Sequence, residues 1–217
     1  MIPRSWLFVP GDSERKLARV LQSGADAVIL DLEDAVVAEH KLLAREMTAA
    51  FLRLHASTPG PPLWVRVNPL SSGLMHDDLA AVMSAVPAGI VLPKPDSIAD
   101  VRDLDRALYE LEARTPGRAV TPIVAIATET APAVATLSGY VRPPDRLLAL
   151  TWGAEDLSTE LGARVNREAD GEFRCTYQLV RSLCQIAAAA SGRPAIETLS
   201  LEFRDAAALA RRAARAA

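Results

Sequence analysis

Short apolar runs alternate with longer segments of helical period along the whole chain. Trp6-Leu7-Phe8-Val9 is followed by Pro10-Gly11-Asp12-Ser13, then by a helical spacing of Leu17, Val20 and Leu21. Ala27-Val28-Ile29-Leu30 precedes a cluster of acids and a helix predicted over 42–54. Leu63-Trp64-Val65-Arg66-Val67 precedes a helix over 79–86, and Gly89-Ile90-Val91-Leu92 one over 98–112. Pro122-Ile123-Val124-Ala125-Ile126 precedes a helix near 131–137. Leu147-Leu148-Ala149-Leu150 is followed, after a longer loop, by a helix over 177–191. A weaker run at 195–199 leads to a final helix over 206–217.

That is seven βα units with no linker between them, which predicts one α/β domain over 1–217. The strand runs are apolar on both faces, as buried parallel strands are. A (β/α)8 barrel and an open doubly wound sheet both fit such a pattern. A dinucleotide-binding sheet would carry G-x-G-x-x-G after its first strand; the turn here is Pro10-Gly11-Asp12-Ser13. A (β/α)8 barrel commonly has about 250 residues and eight strands, and this chain stops one βα unit short of that.

Composition narrows the function. Half of the 217 residues are hydrophobic and the net charge is −3, so the basic surplus of a nucleic-acid binder is missing. No apolar run approaches the roughly 18–20 residues of a membrane span, and the opening Met1-Ile2-Pro3-Arg4-Ser5-Trp6 lacks a secretory apolar core. With only Cys175 and Cys184, nine residues apart, a disulfide scaffold is excluded. A reduced, cytoplasmic protein is expected.

The chemistry sits where the strands end. Asp31-Leu32-Glu33-Asp34 follows the second run, Arg66 lies within the third with Asn68 just past it, and Lys94 follows the fourth. Glu129 follows the fifth, and Glu155 and Asp156 follow the sixth. In a barrel the carboxyl ends of the strands meet on one face, so these residues would share a cleft. Glu129 and Asp156 are the sharpest pair, because two carboxylates with water and substrate suit Mg2+. Arg66 offers a planar fork for a substrate carboxylate, or else a salt bridge to Glu33 or Asp34. Glu155 reads as a first-turn helix acid. Asp12 or Ser13 can cap a first helix carrying Arg15 and Lys16, a weak anion site. His40, His55 and His76 form no ligand-spaced cluster and read as surface residues.

The motifs Ser5-Trp6-Leu7-Phe8-Val9-Pro10-Gly11, Leu30-Asp31-Leu32-Glu33-Asp34-Ala35-Val36, Val65-Arg66-Val67-Asn68, Leu92-Pro93-Lys94, Thr128-Glu129-Thr130 and Trp152-Gly153-Ala154-Glu155-Asp156-Leu157 follow one another in an order that resembles the citrate lyase β-subunit group. That group lies among the HpcH/HpaI aldolases of the phosphoenolpyruvate/pyruvate superfamily, and the likeness covers nearly the whole chain. The resemblance implies a TIM barrel and Mg2+-dependent carbon–carbon cleavage or condensation of a citryl-, malyl- or citramalyl-type 3-hydroxyacyl-CoA. The products would be a 2-oxo acid and an acyl-CoA. It gives Glu129 and Asp156 to Mg2+ and Arg66 to the oxo-acid carboxylate, with Glu129 and Lys94 beside the substrate. It brings Arg15 and Lys16 toward coenzyme A. Glu33 and Asp34 would support metal-bound water and Arg66.

Two departures stand out. Relatives continue with a Gly-Phe-x-Gly-Lys-x-x-Ile-His-Pro-like segment that forms strand eight, and many acyl-CoA lyases then add a lid. This sequence ends before both, which leaves the catalytic base unassigned. Alternatives on the same scaffold are an acyl-CoA thioesterase, a pyruvate-type aldolase, or a lyase subunit active only in a complex. The family likeness also suggests a homotrimer or larger assembly.

Overall fold

A computed structural model describes residues 2–114, 119–201 and 205–216. Seven strands run parallel in sequence order: β1 (Trp6–Pro10), β2 (Ala27–Asp31), β3 (Leu63–Arg66), β4 (Gly89–Leu92), β5 (Ile123–Ile126), β6 (Leu147–Thr151) and β7 (Ala195–Ile196). A doubly wound sheet would reverse its order at a switch point. The unbroken order β1 to β7 is that of a TIM-type barrel.

Alternation along each strand builds two cores. Outward side chains such as Leu30, Val65, Ile90, Leu92 and Ile123 are buried against the helices, each contributing about 2 kcal/mol of apolar burial. Inward side chains form a second cluster: Ala27, Ile29, Trp64, Val91, Val124, Ile126 and Ala149, packed against Trp6, Phe8 and Ile196. This cluster joins β1 residues to a β7 residue, so the sheet curls around it. Among the described residues β1 and β7 do not pair, and they form the two edges of a partial barrel.

Helices α1 (Glu14–Val20), α2 (Lys41–His55), α3 (Met75–Val82), α4 (Ile98–Glu112), α5 (Ala131–Ala135), α6 (Glu155–Glu160), α7 (Cys175–Ala190) and α8 (Ala206–Ala216) alternate with the strands. Ser97 and Asp100 form a capping box that starts α4. The helix predicted over 79–86 begins four residues earlier and breaks into a 3-10 turn at Met83–Ala85. Pro87 follows that turn and keeps the helix from continuing, because the residue before a proline disfavours the right-handed helical region; Val86 between them sits in the left-handed region at φ 55°. Helix α6, absent from the predicted elements, is too short to show a period. The weaker run at 195–199 is a strand for two residues only. The last residue of the helix predicted over 206–217 lies outside the described residues. Cys175 is exposed and Cys184 buried, both unpaired, as the spacing on α7 requires. No helix among the described residues is long and apolar enough to cross a membrane.

Candidate active site

Strand register alone brings the first two groups together. Asp31 and Arg66 are the last residues of β2 and β3 and lie side by side in that pairing. Arg66 Nε and Nη2 donate to Asp31 Oδ1 and Oδ2 at 2.7 and 2.6 Å, a two-pronged bond in the barrel interior. Its Nη1 forms an ion pair with Glu33 Oε2 at 2.8 Å, and the guanidinium lies over the Phe8 ring at 4.8 Å. Burial pushes the Arg66 pKa down, but Asp31 and Glu33 outweigh it and hold the guanidinium above its ordinary value. Of the five N–H donors of its guanidinium, two are hydrogen-bonded, both to Asp31, while Glu33 Oε2 pairs with Nη1 by charge and accepts no hydrogen bond. The salt bridge foreseen for Arg66 reaches Glu33 but not Asp34, and its main partner is Asp31.

Lys94 is the hub. It follows β4 in a left-handed conformation, φ 49°, unusual for a side-chain-bearing residue. Its ammonium bonds Asp34 Oδ2 at 2.8 Å, pairs with Asp156 Oδ1 at 3.0 Å, and makes a close contact with Glu33 Oε1. Burial lowers its pKa, yet the bonds to Asp34 and Glu33 prevail and keep it charged beyond the ordinary lysine range. Burial raises the Glu33 carboxyl against the pull of Arg66 and Lys94. For Asp34 burial is again the largest single influence and raises the carboxyl, but the bond to Lys94 and the charges of Lys94 and Arg66 together outweigh it and hold Asp34 below its ordinary value.

Glu129 is 4% exposed and takes one hydrogen bond, from Lys94 N–H to Oε2 at 2.7 Å. No side-chain cation pairs with it among the described residues. Burial first, then the nearby Asp156 charge, push its carboxyl well above the usual range. Gly153 allows this placement: a Cβ there would stand 2.4 Å from Glu129 Cγ. Asp156 occupies the first turn of α6, as does Glu155, whose Oε2 accepts from Asn166 Nδ2 at 2.8 Å. Glu155 is therefore a first-turn acid, as its sequence position suggested.

Two carboxylates close enough to repel each other, one of them buried and in no side-chain ion pair among the described residues, suit a divalent cation completed by water and substrate oxygens. No group of three or more His, Cys, Asp or Glu residues forms a closed cage among the described residues, so any cation held here would keep open positions. Glu129, Asp156, Lys94, Glu33, Asp34 and Arg66 thus share the carboxyl face of the sheet. Arg15 and Lys16 do not join them. They line a groove of about 340 Å³ with Leu7, Phe8, Val9 and Val20 beside the outer edge of β1. Helix α1 has seven residues, and Ser13 makes no side-chain cap. Asp12 bonds His40 Nδ1 at 3.0 Å instead.

The family model for HpcH/HpaI aldolase/citrate lyase matches residues 4–217. The chain belongs to this family. A citrate lyase subunit beta-like protein of Mycobacterium tuberculosis is 34% identical over 202 residues, 92% of this chain and 65% of that protein. A (3S)-malyl-CoA thioesterase of Cereibacter sphaeroides is 31% identical over 202 residues, with 93% and 65% covered. The chain therefore spans just under two thirds of the length of these relatives. Solved structures of CitE from M. tuberculosis, 32% identical, cover 95% of this chain. One holds magnesium and acetoacetate (TM-score 0.76, 77% of that chain). A second holds oxaloacetate and magnesium (0.75, 83%), and a third magnesium, acetoacetate and coenzyme A (0.74, 69%).

Residues with no role in the sequence motifs also shape the candidate site. Asp31 lies inside the Leu30–Val36 motif. Glu197, just past β7, accepts from Trp152 Nε1 at 2.5 Å and from Arg181 Nε at 2.7 Å, tying β7 to the Trp152-Gly153 turn. Lys41 and Asp78 carried no motif at all. For Asp31, period-two alternation with Ile29 was a usable signal; for the others only the fold reveals the contact.

Proposed function

We propose that the chain is the catalytic domain of a Mg2+-dependent carbon–carbon lyase. It would split, or form, a citryl-, malyl- or citramalyl-type 3-hydroxyacyl-CoA, giving a 2-oxo acid and an acyl-CoA. The observation that carries this reading is the buried Glu129, in no side-chain ion pair among the described residues, beside Asp156, with the Arg66 guanidinium in the same cleft. The ligands in the CitE structures support the same chemistry.

Glu129 and Asp156 would hold the metal, which when bound supplies Lewis-acid polarisation of the oxygen at the reacting carbon. The Arg66 guanidinium would take the oxo-acid carboxylate and fix its plane. Lys94 stays charged throughout, so it serves as a fixed positive charge near the carboxylate and not as a proton acceptor. Glu33 and Asp34 hold that ammonium in place. Arg15, Lys16 and the groove beside β1 would meet the phosphates of coenzyme A from the side. We read the chain as one TIM-barrel domain of a cytoplasmic protein that works as a homotrimer or larger assembly, alone or with other lyase subunits.

Calorimetric titration with oxaloacetate, pyruvate and glyoxylate, with and without Mg2+, tests the site. The reading requires binding that depends on Mg2+ and is lost in Asp156→Ala and Arg66→Ala. Binding that persists in the presence of chelator overturns it. The C. sphaeroides relative favours one second reading, hydrolysis of the thioester. Release of coenzyme A from malyl-CoA with no 2-oxo acid formed would identify it.

A further inference from the structure

Beneath the acidic loop lies a partly buried chain of charges that no step of the proposed reaction uses. Lys41 opens α2, where a cation opposes the positive end of the helix dipole. Its ammonium nonetheless turns inward. It donates to Leu32 O at 2.7 Å, Glu33 O at 2.8 Å and Asn68 Oδ1 at 2.7 Å. An ammonium has three donors, so none remains for water or a substrate. Asn68 Nδ2 donates to Leu32 O at 3.0 Å and to Asp78 Oδ2 at 2.7 Å, and Asn68 N–H donates to the same Asp78 oxygen at 2.7 Å. Asp78 is fully buried, and its other oxygen accepts from Arg45 Nε at 2.7 Å.

We infer that Lys41 is a positioning residue: by holding the carbonyls of Leu32 and Glu33, with Asn68 and Asp78 behind it, it sets how Glu33 and Asp34 meet Lys94 and Arg66. The other side of the loop is already fixed, because Asp31 accepts from Glu33 N–H at 3.0 Å and Ala35 N–H at 3.1 Å. Lys41 fixes the carbonyl side, and together they leave the loop one conformation. A lysine that served only to cover apolar surface would extend its head to solvent; this one spends every donor on the loop and on the asparagine beneath it. Removing it takes one donor from each carbonyl, leaves Leu32 O only the Asn68 amide and Glu33 O only Val36 N–H, strands Asn68 Oδ1, and frees Glu33 to turn from Lys94. Lys94 N–H in turn holds Glu129, so the displacement reaches the metal pair.

The kinetic part of this inference rests on the proposed function; the structural part does not. The test compares the wild-type chain with Lys41→Met and Lys41→Arg. Amide hydrogen exchange is followed over residues 31–36 and in α4 and α7, with thermal unfolding and steady-state malyl-CoA cleavage alongside. Lys41→Met is expected to speed exchange over 31–36 by about tenfold or more while α4 and α7 stay protected. It is expected to lower kcat by about ten- to a hundredfold with KM changed less than about threefold. Lys41→Arg should recover most of the protection and part of kcat. Unchanged exchange over 31–36 in folded Lys41→Met overturns the inference, as does a kcat loss no larger than the loss of folded protein. Should Lys41→Met not fold, Lys41→Gln takes the same measurements against the same outcomes. A wild type that neither binds oxo acids nor cleaves malyl-CoA removes the functional reading, and the exchange rates alone then decide the role of Lys41.

Discussion

Arg66 and Asp31 are paired twice over, by strand register and by two hydrogen bonds of 2.6 and 2.7 Å. The guanidinium that faces the cleft is therefore aimed by a residue on the neighbouring strand. Asp31→Ala would leave a buried guanidinium without its main partner and remove the acceptor for two loop N–H groups. The expected cost is about 3–5 kcal/mol of stability, read from urea unfolding. Arg66→Lys keeps the charge but not the fork. It is expected to fold and to lose oxo-acid binding at least about tenfold in calorimetry.

Burial and Asp156 raise the Glu129 carboxyl well above its ordinary value. In the folded chain Glu129 therefore keeps a proton that the unfolded chain has released. Without metal, stability falls as pH rises from the ordinary glutamate value of 4.5 toward the raised folded value. A divalent cation needs the ionised form, so its binding expels that proton and tightens as pH rises through the same window. Mg2+ titrations in two buffers of different ionisation heat should show proton release that disappears in Glu129→Gln. Equal apparent heats in both buffers would contradict the assignment.

Gly153 matters through what it lacks. A methyl there would meet Glu129 Cγ at 2.4 Å and Oε1 at 3.1 Å. Glu129 is walled in by the end of β5 and bonded to Lys94 N–H, so it cannot give way without leaving that bond. Gly153→Ala should lower Mg2+ affinity about tenfold or more, on the scale found when groups supporting a metal ligand are removed. The unfolding midpoint should move much less. Unaltered Mg2+ affinity would show that Glu129 is not the ligand.

Alternation and parity made the architecture readable. Apolar runs interleaved with helical periods predicted the seven strands, and the absence of a dinucleotide turn favoured the barrel. The same logic located Glu33, Lys94, Glu129 and Asp156 on one face, since each lies just past a strand. It stopped short of Asp31 because a charged residue closing a strand resembles a loop acid unless its parity with Ile29 is counted. It could not reach Lys41 and Asp78, whose partners lie far along the chain and whose spacing encodes nothing. Arg15 and Lys16 read as an anion site from local sequence; the fold places them in a groove beside β1.

The floor of the barrel offers a test independent of the chemistry. Trp64 on β3 lies flat against Gly89 on β4, where a Cβ would stand 2.1 Å from Cζ3 of the ring and 2.4 Å from Cε3. The ring has little room to retreat. Trp6 packs edge-on against it with centroids 5.1 Å apart, and Trp64 is 4% exposed. Gly89→Ala therefore overpacks a rigid wall, and about 1–3 kcal/mol of destabilisation is expected. In a chain of this length that is a fall in Tm of about 2–4 °C per kcal/mol. The carboxyl ends of the strands lie at the opposite side of the barrel, so the folded variant should bind oxo acid and Mg2+ as the wild type does. Trp64→Leu in the same chain removes the obstacle but leaves a void, and is destabilising alone. If the overlap is the cause, the double variant loses less than the two single losses together. Additive losses in a urea double-mutant cycle would show that Gly89 is needed for some reason other than the Trp64 ring.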